Sequence, residues 1–325
     1  MNIELESTLL LLVLCWVILT VLDVAVAGLL CLLGGVTFKK AFAWGLLSLL
    51  LPPLLFAYGI TIERNWYQVK EVALHSATLP QNFEGYRMVH ISDLHLRSFQ
   101  GREKSLQRLV DNINSLDADM ICFTGDLVTM SPDEIDGFET MLATLSARDG
   151  FYSVMGNHDY MMYAGHKEST RDTAALIREL QEAQLGMGWH LLLDENAIIR
   201  RGADSIAVVG VQNISTSKHF PSKGNLAKAL SGTENCYKIL LSHDPTHWEK
   251  EVTDMNIALT LSGHTHATQF SIFGWCPAKY VYRQYRGLYE HNGQQLYVNS
   301  GIGETIFPAR IGVRPEVTLI TLSRP

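Results

Sequence analysis

The stretch Tyr86-Arg87-Met88-Val89-His90-Ile91-Ser92-Asp93-Leu94-His95 decides how this chain reads. Tyr86 to Ile91 is a short, mainly apolar run with the look of a buried β-strand, and two potential metal ligands, Asp93 and His95, follow at once. At a strand end, a spacing of one residue points both side chains to the same side, where they can chelate one ion. The arrangement then recurs. Met120 to Thr124 leads into Gly125-Asp126, and Phe151 to Met155 into Gly156-Asn157-His158-Asp159. Lys238 to Leu241 leads into His243-Asp244, and Ile257 to Leu261 into Gly263-His264-Thr265-His266. Blocks this far apart meet only where a sheet presents its strand ends along one edge. A lone Asp-x-His or Gly-Asp occurs often by chance; five blocks, each behind an apolar run, do not. Gly125 lets the backbone turn tightly. Asp126 has two oxygens with which to bridge two cations, Asn157 adds a neutral amide oxygen, and His264 and His266 repeat the first chelate. Mixed oxygen and nitrogen ligands suit manganese, iron or zinc.

Between the blocks the apolar spacing turns helical. Leu106, Leu109, Val110 and Ile113 fall on one face of a helix over Glu103 to Leu116, and Ile135 to Leu145 reads the same way. Ala174, Leu176, Ile177, Leu180 and Ala183 mark a third helix over Thr170 to Gln184, with Gly186 after its end. The pattern then turns to β: Ile198-Ile199 and Ile206 to Val211 flank Gly202 with hairpin character, and Gln295 to Val298 and Val317 to Leu322 follow. Val69, Val72 and Leu74 mark an edge strand in a connector. Strands alternating with helices, then mostly strands, imply a layered α/β fold.

The 325 residues leave room for one large domain and something smaller. A net charge of -7 leaves no basic stripe to neutralise phosphates, so no nucleic acid is expected as a partner. Five dispersed cysteines without CxxC spacing argue against a disulfide framework or a cysteine zinc site. Hydrophobic residues reach 47% and concentrate at the N-terminus. Ser7 to Val36 is apolar except for Asp23, and Ala41 to Ile62 is a second apolar run broken by Pro52-Pro53, with Lys39-Lys40 between the two. The reading is a two-helix transmembrane hairpin. A cleaved leader fits poorly, because the N-terminus carries Glu4 and Glu6 rather than a basic cluster. Asp23 is assigned a packing or interfacial role. The expected organisation is a membrane anchor at 1–62, a connector with an edge strand at 63–85 and a catalytic domain at 86–325, in the inner membrane. Lys39-Lys40 favours a cytoplasmic loop and an extracytoplasmic catalytic domain, while Arg64 and Lys70 pull the other way.

Taken in order, D-x-H, G-D, G-N-H-D, H and G-H-x-H resemble the signature of the calcineurin-like metallophosphoesterase family, over Tyr86 to the C-terminus. The apolar leader and the Ile-Ser-Asp-Leu-His opening are most similar to its membrane-anchored bacterial branch. The resemblance implies a four-layer fold, a two-sheet β-sandwich flanked by helices. It implies that Asp93, His95 and His266 hold one divalent metal, that Asn157, His243 and His264 hold a second, and that Asp126 bridges them. His158 would stand beside the pair as proton donor or transition-state stabiliser, with Asp159 orienting it.

Arg97, after the first chelate, is a candidate phosphate clamp or a solvated loop residue. His90 is expected to point into the sheet packing. His75, His166, His190, His219, His247 and His291 lack partner spacing and are expected on the surface. Trp275 to Tyr289, rich in aromatics, is a candidate wall of the substrate pocket or a cover over the sheet. Arg310 and Arg314 either contact substrate or tie the tail down. The implied function is a membrane-anchored phosphoesterase cleaving a phosphodiester, phosphomonoester or pyrophosphate through a metal-bridging hydroxide, with a lipid-linked substrate as one candidate. The alternative is a non-catalytic metal-binding scaffold.

Overall fold

The computed structural model describes residues 3–163, 171–305 and 307–325. The strands are β1 (Gln68–His75), β2 (Tyr86–Ile91), β3 (Met120–Phe123), β4 (Phe151–Ser153), β5 (His190–Leu191), β6 (Glu195–Arg201), β7 (Asp204–Gly210), β8 (Tyr237–Leu241), β9 (Leu259–Ser262), β10 (Gly287–His291), β11 (Gln294–Val298) and β12 (Glu316–Ser323). They form two six-stranded sheets, ordered β1-β12-β2-β3-β4-β5 and β10-β11-β9-β8-β7-β6. In the first, β2 to β5 run parallel and β12 is antiparallel to β2. In the second, β7, β8, β9 and β11 run parallel, with β6 and β10 as antiparallel edges.

Apolar residues on both faces of the central strands explain the layering, because a parallel sheet is covered on both sides. Met88 and Cys122 of the first sheet meet Val208, Ile239 and Leu259 of the second in one core. The opposite faces, carrying Val89, Ile91, Ile121 and Phe123, are covered by α4 (Glu103–Ser115) through Leu106, Leu109 and Val110. Each such buried side chain is worth roughly 1.5–3 kcal/mol over its exposed state. The second sheet's outer face, with Val209 and Leu240, is covered by Leu226 and Trp248. The molecule is thus a two-sheet sandwich flanked by helices, as the family resemblance implied.

Some expectations change. Ile135 to Leu145 is not one helix: a 3-10 turn spans Pro132–Ile135 and α5 only Glu139–Leu142. Gly137, at φ +83°, breaks the run between them. The third helix is α6 (Thr173–Gly186), capped by Asp172; Thr170 and His166 lie outside the described residues. His247 is buried, not on the surface, and bonds Ser242 Oγ at 2.9 Å.

Of the N-terminal helices, α1 covers Ile3–Leu32, α2 Phe38–Gly45 and α3 Leu51–Thr61. Glu6–Leu32 and Phe38–Asn65 are each long and apolar enough to cross a membrane. Pro52-Pro53 stands in the first turn of α3, where a missing N–H costs nothing. Ser48 donates to Asp23 across the pair at 2.7 Å, which gives Asp23 its packing role. The end of α3 is fixed to the other layers. The rings of Phe56 and Phe307 lie 5.8 Å apart, and Gly312 N donates to Glu63 at 2.9 Å. A Cβ at Gly59 would stand only 2.8 Å from Arg310 O.

Candidate metal centre

β2, β3 and β4, parallel in the first sheet, and β8 and β9, parallel in the second, end at one edge of the sandwich, and the loops that follow carry all the expected ligands. Asp93, His95, Asp126, His264 and His266 have positive φ, from 43° to 72°. Left-handed backbone in five non-glycine residues is costly, on the order of 1–3 kcal/mol each, and clusters at functional sites. The side chains of Asp93 and His95 converge through these two left-handed residues and not through strand alternation; Leu94 between them is buried. Gly125, at φ +96°, lets the β3 loop pass the β4 loop, since a Cβ there would stand 2.3 Å from Gly156 N.

The ligand atoms form two sets that meet at Asp126. In one, His266 Nε2 lies 3.2 Å from Asp93 Oδ1 and 3.1 Å from His95 Nε2. In the other, Asn157 Oδ1 lies 3.1 Å from His243 Nε2 and 2.7 Å from His264 Nδ1. Asp126 Oδ2 faces both, 3.7 Å from His95 Nε2 and 3.1 Å from His243 Nε2. Its other oxygen accepts from His158 N at 2.8 Å, so a single oxygen looks toward both sets. His243 Nδ1 donates to Thr124 O at 2.7 Å, which turns the Nε2 lone pair inward.

Burial opposes charge on Asp93, but His266, His243 and His95 outweigh it and hold its pKa well below the usual carboxylate range. Burial lowers the pKa of His95 and His264, which favours neutral, ligating imidazoles. His243 differs: burial pulls it down, yet Asp126 pushes it up to about 10, an ion pairing that a cation would replace. Buried carboxylates, inward lone pairs and second-side hydrogen bonds together fit a pair of divalent cations.

The catalytic candidates are placed less uniformly. His158 stands beside the cluster with its ring 4.8 Å from that of His95. Its Nδ1 donates to Thr129 O at 2.8 Å, so a carbonyl sets its orientation. Asp159 does not do so: it accepts from Gly156, Asp126, Leu127 and Val128 backbone N–H groups at 2.8–3.2 Å and ties two ligand loops together. Arg97 is not brought to the cluster. Its guanidinium contacts Met130 Sδ at 2.9 Å and lines a neighbouring cavity with Arg64 and Arg102. Arg310 is fully buried and donates to Ser300 O and Gly303 O, and Arg314 stacks on Trp66, so both tie the tail down. His90 is buried between the sheets and bonds Thr124 Oγ1 at 3.0 Å. Tyr282, in the aromatic stretch singled out above, places its hydroxyl 3.1 Å from His264 Nε2.

A cleft of about 600 Å³ opens over Asn157, His158, His264 and His266. Its remaining walls are mostly apolar, with Met130, Tyr163, Phe220, Val281 and Tyr282, and Ser7 of α1 reaches its rim.

Residues 86–268 match the sequence profile of a family described as calcineurin-like phosphoesterase. The chain is 31% identical over 295 residues to a Danio rerio protein named transmembrane protein with metallophosphoesterase domain. That match covers 87% of this chain and 64% of the zebrafish protein, so the chain spans less than two thirds of that relative. It is 29% identical to the Bacillus subtilis (strain 168) protein named uncharacterized metallophosphoesterase YkoQ, over 71% of this chain and 81% of that one. It is 27% identical to YkuE of the same strain, over 82% and 89% respectively. The apolar helices and the transmembrane relative mark the chain as membrane-associated.

Proposed function

We propose that this chain, which belongs to the calcineurin-like phosphoesterase family, is a dinuclear phosphoester hydrolase whose substrate is an amphiphile of the membrane that holds its N-terminal helices. The observation that carries the reading is the meeting of two ligand sets at one oxygen of Asp126. Asp93, His95 and His266 would hold one divalent cation, Asn157, His243 and His264 the other, with Asp126 between them; manganese, iron and zinc all suit this donor set. A bound pair of cations supplies positive charge to phosphoryl oxygens and lowers the pKa of water.

The chain's own groups do the rest. The apolar cleft walls exclude water and strengthen each polar contact inside. His158 already spends Nδ1–H on Thr129, so the proton it would deliver to a leaving oxygen is one carried on Nε2. Asp159 holds the β3 and β4 loops in mutual register. The amphiphile reading is supported by the apolar walls and by Ser7 of α1 at the rim. In this reading residues 1–62 anchor, 63–85 connect and 86–325 catalyse. No observation favours the scaffold alternative.

The test is hydrolysis of bis-p-nitrophenyl phosphate and p-nitrophenyl phosphate by detergent-solubilised protein, stripped of metal and then resupplied with manganese, iron or zinc. Turnover that vanishes on stripping and returns with metal is the expected result. Silence on both esters with every metal, in protein that still binds metal, would overturn the hydrolase reading.

A further inference from the structure

Among the described residues after Trp66, six large hydrophobic side chains are exposed, and four of them fall within nine residues: Phe273, Trp275, Tyr280 and Val281. Phe273 stands at the tip of a two-residue turn. Ile272 and Trp275 exchange both backbone hydrogen bonds around it, at 3.0 and 2.9 Å, and Phe273 and Gly274 have φ of +49° and +80°. The turn joining β10 to β11 has nearly the same central angles, +49° and +78°, and fills them with Asn292 and Gly293. Asn-Gly is the favoured pair for that backbone, whereas a bulky aromatic is strained in it. The chain therefore holds a Phe, fully solvent-exposed, where a small polar residue would be less strained and better solvated.

The turn is mounted beside the membrane helices. Ser271 N donates to Ile311 O at 2.7 Å and Ile311 N to Gln269 O at 2.9 Å. Ile311 in turn packs on α3, where a Cβ at Gly59 would lie 3.0 Å from its Cγ1. Near the same end of α3, Arg64, Arg97, Arg102 and Glu304 line a cavity of about 340 Å³, with Arg102 paired to Glu304 at 3.3 Å, which leaves the lining net positive. Around the turn, Trp275 donates to the Tyr280 hydroxyl at 3.2 Å and Lys279 lies over the Tyr280 ring. Trp, Tyr and Lys are the residues enriched at membrane–water interfaces. The patch continues inward, because Val281 and Tyr282 also line the metal cleft.

We infer that the Phe273-Gly274 turn, with Trp275, Tyr280 and Val281, inserts into the acyl–headgroup zone of the bilayer that holds the N-terminal helices, seating the metal cleft on the membrane surface. α1 through Ser7 and this patch through Val281 then both border the cleft, so an amphiphile reaches it without leaving its leaflet. The insertion rests on the apolar helices lying in the membrane and stands apart from hydrolysis; only the delivery of an amphiphile rests on the proposed function.

The full chain, reconstituted in vesicles of phosphatidylethanolamine and phosphatidylglycerol, tests this with p-benzoylphenylalanine replacing Phe273. Irradiation should attach lipid at position 273 with a yield about fivefold above that of the same probe replacing Leu185, an exposed residue on α6. Equal yields, or cross-links joining two protein chains, would overturn the insertion. A second arm uses Phe273→Asp and Tyr280→Asp. Each should cut hydrolysis of vesicle-borne hexadecyl p-nitrophenyl phosphate by about tenfold while leaving soluble bis-p-nitrophenyl phosphate within about twofold. Equal effects on the two esters would overturn the delivery role. A wild-type chain inactive on both would sink the hydrolase reading, while the cross-link would still decide the insertion.

Discussion

Gly263 is where one methyl group tests the ligand geometry most sharply. A Cβ at this position would lie 1.9 Å from Ser92 Oγ and 2.3 Å from Asp93 Oδ2. The serine can rotate away, since its hydroxyl is buried without a hydrogen-bond partner. The aspartate has less freedom: its oxygens accept from His264 N and face His266. An ordinary contact is about 3.5 Å, so Gly263→Ala asks the carboxylate to retreat by about 1 Å. A misplacement of about 1 Å in a catalytic constellation can cost about 100-fold in rate, and disturbing ligand support typically costs about 10- to 100-fold in metal affinity. The assay is turnover of bis-p-nitrophenyl phosphate against a manganese titration, with bound metal counted by mass spectrometry and folding followed by circular dichroism. We expect the half-saturating metal concentration to rise at least about tenfold in a folded protein. Gly186→Ala, where the added carbon meets nothing within 4 Å beyond its own helix backbone, should change nothing. An unchanged metal dependence in Gly263→Ala would refute the assignment of Asp93 as a ligand.

Three further outcomes follow from the same geometry. His158→Asn should keep its metal and lose about 100- to 10,000-fold in turnover; loss of metal would move His158 from proton carrier to ligand. Asp159→Asn turns one of the two carboxyl oxygens that accept from four backbone N–H groups into a donor and should lower unfolding stability by roughly 2–4 kcal/mol, with the shape of the pH–rate profile retained; a changed profile would restore Asp159 to orienting His158. Burial pushes the pKa of His90 down to about 4 from 6.5, so the unfolded chain binds its proton first as pH falls. Its stabilising effect is complete above about 6.5 and is lost toward about 4, up to roughly 3 kcal/mol. Denaturant titrations should therefore show His90→Leu less destabilised than wild type between pH 7.5 and 5, and equal slopes would contradict that assignment.

The ligand blocks were legible because chelate spacing at the end of a two-face apolar run is a local pattern, and a parallel sheet converts it into convergence. What sequence did not reveal is mostly backbone. The left-handed residues at Asp93, His95 and Asp126 leave no mark in residue identity, and Thr129 acts on His158 through a carbonyl that any residue owns. The family resemblance pairs Asp159 with His158, yet its carboxylate turns to the loops' N–H groups. The helix expected over Ile135 to Leu145 had the right apolar spacing, but Gly137 interrupts it. One signal was present and unused: Asn292-Gly293 marks the β10–β11 hairpin. His247 has no partner spacing in sequence that marks it as buried, although Trp248 beside it packs against the second sheet.

The most direct test of the central claim is metal stoichiometry and turnover measured on the same samples of wild type and Asp126→Asn. A shared oxygen at Asp126 predicts about two divalent ions per wild-type chain with metal-dependent diester hydrolysis, and loss of both metal and turnover in the variant. A variant that keeps its metal and its turnover would contradict a dinuclear centre built around Asp126.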